Sequence, residues 1–263
     1  MLALPQAAFF LLLEVAAGGT IALFLVHLRG DVPLGFTRFT GACLLVCGAL
    51  AIWLRSSFPP TDLVPPATLW FQIERVLTFA FVAVFTVYLI VPAARILGPL
   101  VPLLALASLW AASLVVTSPQ LDGLGVPLAV LAGGVALGTA VTSLSLGHWY
   151  LVSPGLPVQP LIRLTFVCLG AVVLQMVLLP ILLFGPGADS GIVQHLFDED
   201  GVFLGVRVVF GLLVPLAALL MTWRTARIRS LDSATGLLYI VAALVLAGEI
   251  AARTLFFLTG VAT

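Results

Sequence analysis

Long apolar stretches run along the whole chain and are broken at near-regular intervals by short polar turns. The apolar runs cover roughly residues 6–28, 35–54, 68–92, 94–116, 124–152, 160–184, 203–223 and 234–259. A helix needs about 20 apolar residues to cross the hydrocarbon core of a bilayer, and each run meets that length. The breaks carry turn chemistry, among them "RGDVP" at 29–33, "FPPTDLVPP" at 58–66, "SPGLPVQP" at 153–160 and "GPGADSG" at 185–191,. This pattern predicts an all-α integral membrane protein, a single domain of eight transmembrane helices with short loops except at 185–202. Eight helices place both termini on one side of the membrane.

Composition strengthens the membrane assignment. Of 263 residues, 62% are hydrophobic and 8% charged, and the mean hydropathy is +1.26, a profile that keeps no domain of this size in water. All eleven basic residues are arginine and eleven acidic residues balance them, so no polybasic patch points to nucleic acid. The lipid bilayer is the one partner that composition names. The N-terminus shows neither a basic leader nor a small-residue cleavage site, and the first run is read as a retained span.

Charge in the turns orients the spans. Arg29, Arg95, Arg224, Arg227 and Arg229 fall in the odd-numbered loops, with Arg38 and Arg163 at adjoining helix ends. The even-numbered loops hold Arg55 and the acidic set Asp62, Asp122, Asp189, Asp198, Glu199 and Asp200. Arginine-rich loops stay inside, so the termini are expected on the outer side. A tandem of two four-helix bundles, 1–120 and 121–263, is a further expectation. "RVLTFAFVAVFTVYL" from Arg75 and "RVVFGLLVPLAALLM" from Arg207 begin the third helix of each half alike, and His27 and His148 close the first helix of each,.

Charges inside the apolar runs are the candidate chemistry. An ionisable group at the centre of a membrane helix costs about 2.5 to 3.5 kcal/mol on insertion scales, so such groups pair or line a polar cavity. Glu14, Glu74, Arg75, Arg207, Glu249 and Arg253 all fall in the outer half of the membrane on this orientation. Three acids and three bases would form a neutral set if they converged. The four-residue spacing puts Glu249 and Arg253 on one helix face, while the neighbours Glu74 and Arg75 must face different partners. Interhelical pairs that fix the register of the bundle would explain each charge singly. As a set, carboxylates beside arginines below one surface suit a polar head group and proton exchange, as a quinone or a proton-coupled substrate requires.

Other polar residues carry weaker signals. His27 and His148 lie near the inner ends of two helices, where a pair of neutral imidazoles could hold a b-type haem axially. Alternatively, "LGHWYLVSP" is an interfacial belt in which His148, Trp149 and Tyr150 anchor their helix at head-group level. His195 in "HLFDEDG" belongs to a metal site or to an acidic loop that meets a partner, and Cys43, Cys47 and Cys168 are read as packing residues. No Gly-rich phosphate loop, nucleophile elbow or metalloprotease motif occurs.

Three segments carry a family resemblance. "LAGEIAARTLFF" from Leu246 to Phe257, "LEVAAGGTIALFLVHLRGD" from Leu13 to Asp31 and "FLGVRVVFG" from Phe203 to Gly211 resemble, in this order, the last, first and seventh helices of the dimethyl sulfoxide reductase membrane-anchor subunits. More loosely, they resemble the polysulfide-reductase type of membrane subunit. The resemblance implies a quinone-interacting anchor of a respiratory electron-transport complex in the cell inner membrane. It would exchange electrons between menaquinone or ubiquinone and an iron-sulfur subunit, which serves a molybdenum-type catalytic subunit. The anchor itself would carry no metal. Glu14, Arg207, Glu249 and Arg253 would surround the quinone head group or its proton path, and Gly18 and Gly19 would allow close helix approach.

The chain departs from that family at the end of the second helix. There the relatives carry a histidine associated with quinol binding, whereas this chain reads "IWLRSSFPPTD" from Ile52 to Asp62. Arg55, Glu74 and Arg75 are the residues placed to substitute for it. Two rival readings stay open: a proton-coupled secondary transporter with its site between two repeats, and a membrane anchor with a di-histidine b-haem.

Overall fold

A computed structural model describes residues 3–60, 68–91, 96–116, 124–153, 155–184, 194, 196–198 and 200–260. Asp62, Arg95, Asp122, Asp189, His195 and Glu199 lie outside the described residues. The described chain is helical and contains no strand. Its helices are α1 (Ala3–His27), α2 (Leu34–Ser57), α3 (Leu69–Ile90), α4 (Leu100–Val116), α5 (Gly125–Val152), α6 (Gln159–Phe184), α7 (Gly201–Arg227) and α8 (Leu231–Thr259). Seven of them are long and apolar enough to cross a membrane, which makes this an all-α protein of the multi-pass membrane type.

The exception is α4. The apolar run beginning at residue 94 predicts a full span, but the helix starts at Leu100 and has 17 residues. Gly98 and Pro99 form a turn, and Pro102 fits the first helical turn, where a missing N–H costs nothing. At 1.5 Å per residue the helix is about 26 Å long, a few ångströms short of a typical hydrocarbon core.

The packing has a regular plan. α1 touches α2, α4, α5 and α8, while α5 touches α1, α4, α6 and α8; the outer contacts are α2 with α3, α3 with α4, α6 with α7 and α7 with α8. Exchanging each helix with the one four places along maps this set of neighbours onto itself. α1 and α5 are the spine, each with 72% of its apolar window buried, against 22% for α3 at the rim. They run parallel, because Glu14 lies beside Gly134, Gly18 beside Gly138, and Thr142 donates a hydrogen bond to the Gly19 carbonyl at 3.2 Å.

Glycine makes that approach possible. A Cβ on Gly18 would overlap the Gly134 carbonyl oxygen, and one on Gly138 would overlap the backbone of Gly18 and Gly19. Small residues let membrane helices touch backbone to backbone, with dispersion and Cα–H contacts replacing a hydrophobic drive that lipid does not supply. Gly211 and Gly248 repeat the device between α7 and α8.

α7 also holds a departure that the apolar pattern does not foretell. Its segment Val206–Leu213 is π-helical, and the Val214 N–H donates to the Val209 carbonyl five residues back. Pro215 follows directly; it has no N–H to continue the α pattern, and its ring crowds the carbonyl of the preceding turn. The wider turn accommodates this, and π turns inside α-helices recur at functional sites. Phe10 near the start of α1 and Phe257 near the end of α8 have ring centroids 5.9 Å apart, so these two helix ends lie at the same end of the bundle.

Candidate functional site

The buried charges separate into two groups joined by α1. The larger group centres on Glu249. Its Oε1 accepts hydrogen bonds from Arg207 Nη1 at 2.9 Å and Gln175 Nε2 at 2.7 Å, and its Oε2 accepts from Arg253 Nη2 at 3.2 Å. Arg253 Nη2 also lies 2.9 Å from Glu14 Oε1. All four charged side chains are at most 2% exposed. Four helices supply these residues: Glu14 from α1, Gln175 from α6, Arg207 from the π-helical turn of α7, and Glu249 and Arg253 from α8.

The local fold explains how they meet. On α8 the four-residue spacing stacks Glu249 and Arg253 on one face. Opposite them α5 presents Gly133, where a Cβ would stand 2.5 Å from Glu249 Oε2 and 2.8 Å from Arg253 Nη2. The absent side chain is the space that the ion pair fills. Two carboxylates and two guanidiniums cancel, and that neutrality together with the hydrogen bonds offsets the large cost of taking four charges out of water.

The smaller group lies nearer the end of the bundle. Arg55 Nε is 3.0 Å from both Glu74 oxygens, and its Nη2 is 2.9 Å from Glu74 Oε2. Arg55 Nη1 donates to Gln6 Oε1 at 2.5 Å, while Gln6 Nε2 donates to the Phe58 carbonyl at 2.8 Å. The Arg55 guanidinium sits 4.1 Å from the centroid of the Phe9 ring, a cation–π contact that favours arginine over lysine. Arg75 leaves this pair: it is exposed and lies 5.9 Å from the Phe71 ring. Glu74 and Arg75 thus point in different directions, as adjacent helix positions must.

A cleft opens onto the smaller group. It encloses about 230 Å³ of space, its open mouth included, and is lined by Phe9, Ile52, Arg55, Ser56, Glu74, Arg75, Thr78 and Phe79. Aromatic and aliphatic walls surround one buried ion pair, and Phe79 and Arg75 stand at the exposed rim. This combination suits a flat, largely apolar ligand that carries one or two hydrogen-bonding oxygens. Most of this space is the open mouth, and the part enclosed behind it has room for about one water-sized molecule,.

The histidines face elsewhere. His27 Nε2 lies 2.6 Å from the Tyr88 hydroxyl of α3 and its Nδ1 3.1 Å from the Thr37 hydroxyl of α2. Both ring nitrogens are engaged, and haem ligation would break one of these contacts. His148 is exposed, with Nδ1 3.5 Å from the Tyr239 hydroxyl of α8. Among the described residues no three His, Cys, Asp or Glu side chains cluster as a metal site. The expected aromatic belt differs at Tyr150, which is buried and donates to the Pro157 carbonyl at 2.5 Å. Trp149 packs edge-on against Phe36. Cys43 is exposed, Cys47 half-buried and Cys168 buried.

Gln6 and Gln175 are the participants that the sequence pattern did not single out. Their signal was an amide inside an apolar run, the same kind of exception that made the charges conspicuous. No protein-family model matches this chain, and no curated protein matches it significantly.

Proposed function

We propose that this protein is a quinone- or quinol-interacting membrane anchor of a multi-subunit oxidoreductase, with the quinone ring at the open mouth of the cleft between α2 and α3. The observation that carries this reading is the cleft itself. It brings together Arg55, Glu74 and Arg75, the three residues placed to substitute for the histidine of the anchor subunits that the sequence resembles. Arg55 would hydrogen-bond a quinone carbonyl and stabilise negative charge on reduction, and Glu74 would accept a proton on quinol oxidation. The head group would be menaquinone or ubiquinone, and electrons would pass to or from an iron-sulfur subunit that serves a molybdenum-type catalytic subunit. The six charges would then divide their work, with Glu14, Arg207, Glu249 and Arg253 standing apart from the head group.

In this reading the membrane is the cell inner membrane and the chain crosses it eight times, with both termini outside. The shared end of α1 and α8 supports an even number of crossings and hence a crossing by α4. The self-mapping helix plan supports a tandem of two four-helix bundles. Direct titration tests the site: a quinol analogue should quench the tryptophan fluorescence of the purified protein, and Glu74→Gln or Arg55→Ala should weaken binding at least tenfold. Unchanged binding in both variants overturns the assignment. Copurification from native membranes tests the assembly, because an anchor must bring down iron-sulfur and catalytic subunits.

The same repeat plan and the π-helical break in α7 favour a second reading, a proton-coupled secondary transporter. Solute uptake into liposomes by this chain alone, driven by a proton gradient, would establish it; a purified chain that transports nothing while binding quinol would exclude it.

A further inference from the structure

The Glu249 cluster holds more hydrogen-bonding capacity than its members use. Glu14 Oε2, Gln175 Oε1, Arg207 Nε and Arg253 Nε are all buried and have no hydrogen-bond partner among the described residues. Two are acceptors and two are donors; Gln175, Arg207 and Arg253 each bond Glu249, and Glu14 joins them through Arg253. A buried polar atom left unpaired is costly, and internal water is the usual remedy where two to four polar partners face a common space.

The two carboxylates are also unequal. Glu249 is held by three donors on α6, α7 and α8. Glu14 meets one, Arg253. The charges acting on Glu14 are Arg253 and Glu249 of α8 and Arg207 of α7. α5 places Gly134 against it, and among the described residues neither α2 nor α4 adds a charge acting on it.

We propose that this cluster is an internal water-binding site and that Glu14, through Oε2, is its proton acceptor, independent of the quinone cleft. On acidification one proton from the bulk solution is handed on by the bound water to Oε2, the water taking up one proton for the one it gives. The cluster then changes from neutral to a single positive charge, and Glu249 still pairs both arginines. This capacity follows from four side chains contributing one orphan atom each, and it needs no quinone.

Infrared difference spectroscopy of the quinone-free protein in lipid, stepped between acid and alkaline pH, tests the proposal. A carboxylic C=O band should appear on acidification and shift in D₂O, and water O–H bands should shift in H₂¹⁸O. Glu14→Gln should remove the carboxylic band, while Glu14→Asp should move it. Arg55→Ala, which weakens quinol binding on the reading above, should leave it intact. No ¹⁸O-sensitive band in the wild type, or a carboxylic band that persists unmoved in Glu14→Asp, overturns the proposal. The wild-type and aspartate measurements decide it even if Glu14→Gln does not fold.

Discussion

The Arg55–Glu74 pair and the Glu249 cluster are built from the same chemistry and differ in what surrounds them. Each joins arginine to glutamate across helices, and each enlists a glutamine. They lie about 12 Å apart along α1, from the eight-residue interval between Gln6 and Glu14 at 1.5 Å per residue. The pair forms one wall of a cleft. The cluster is enclosed by five helices and held against Gly133. A buried ion pair is weak evidence for stability in itself; the surroundings decide whether it serves as a joint or as a binding surface.

That contrast can be broken by substitution. The largest loss is expected at Glu249→Leu, which leaves Arg207 and Arg253 buried without their common partner. It should destabilise the protein by about 3 to 5 kcal/mol, read as a lower thermal midpoint in detergent; a wild-type midpoint would show that the cluster is not a joint. Gly133→Ala tests the enclosure, since the added methyl must displace Glu249 or Arg253. A loss of about 1 to 3 kcal/mol is expected from this overpacking.

At the other site binding is expected to suffer as well as stability. Glu74→Gln should cost about 1.5 to 3 kcal/mol of stability, because the amide still accepts from Arg55 but no longer offsets its buried charge, and it should also cost at least tenfold in quinol affinity, about 1.4 kcal/mol. A Glu74→Gln protein that is less stable but binds quinol normally would make this pair a joint like the cluster. The smallest effect belongs to Arg75→Ala, within about 0.5 kcal/mol in stability because the side chain is exposed. Any change it makes in quinol binding measures the contribution of the cleft rim alone.

The helices were legible in the sequence because a bilayer demands uninterrupted apolar length. Where punctuation occurs inside such a run, as at Gly98–Pro99, the reading overran and α4 came out shorter. Arg55 was assigned to a turn; α2 in fact continues to Ser57, and that extra turn carries the guanidinium inward. The Glu249–Arg253 contact was legible because it is local. Its partners were not, since nothing along one strand of text tells which faces of α1, α6 and α7 meet α8. The π turn escaped because it depends on how Pro215 is accommodated, not on any periodicity of apolar residues.

The backbone contact between α1 and α5 limits how the molecule can move. Where Gly18 and Gly138 meet without side chains between them, a slide that brought a residue with a Cβ to either position would drive it into the facing backbone. That contact would have to open for the two halves to rock, a cost that the transporter reading carries and the quinone reading does not. α3 stands outside this keel: the least buried of the long helices, it carries Glu74 and one wall of the cleft.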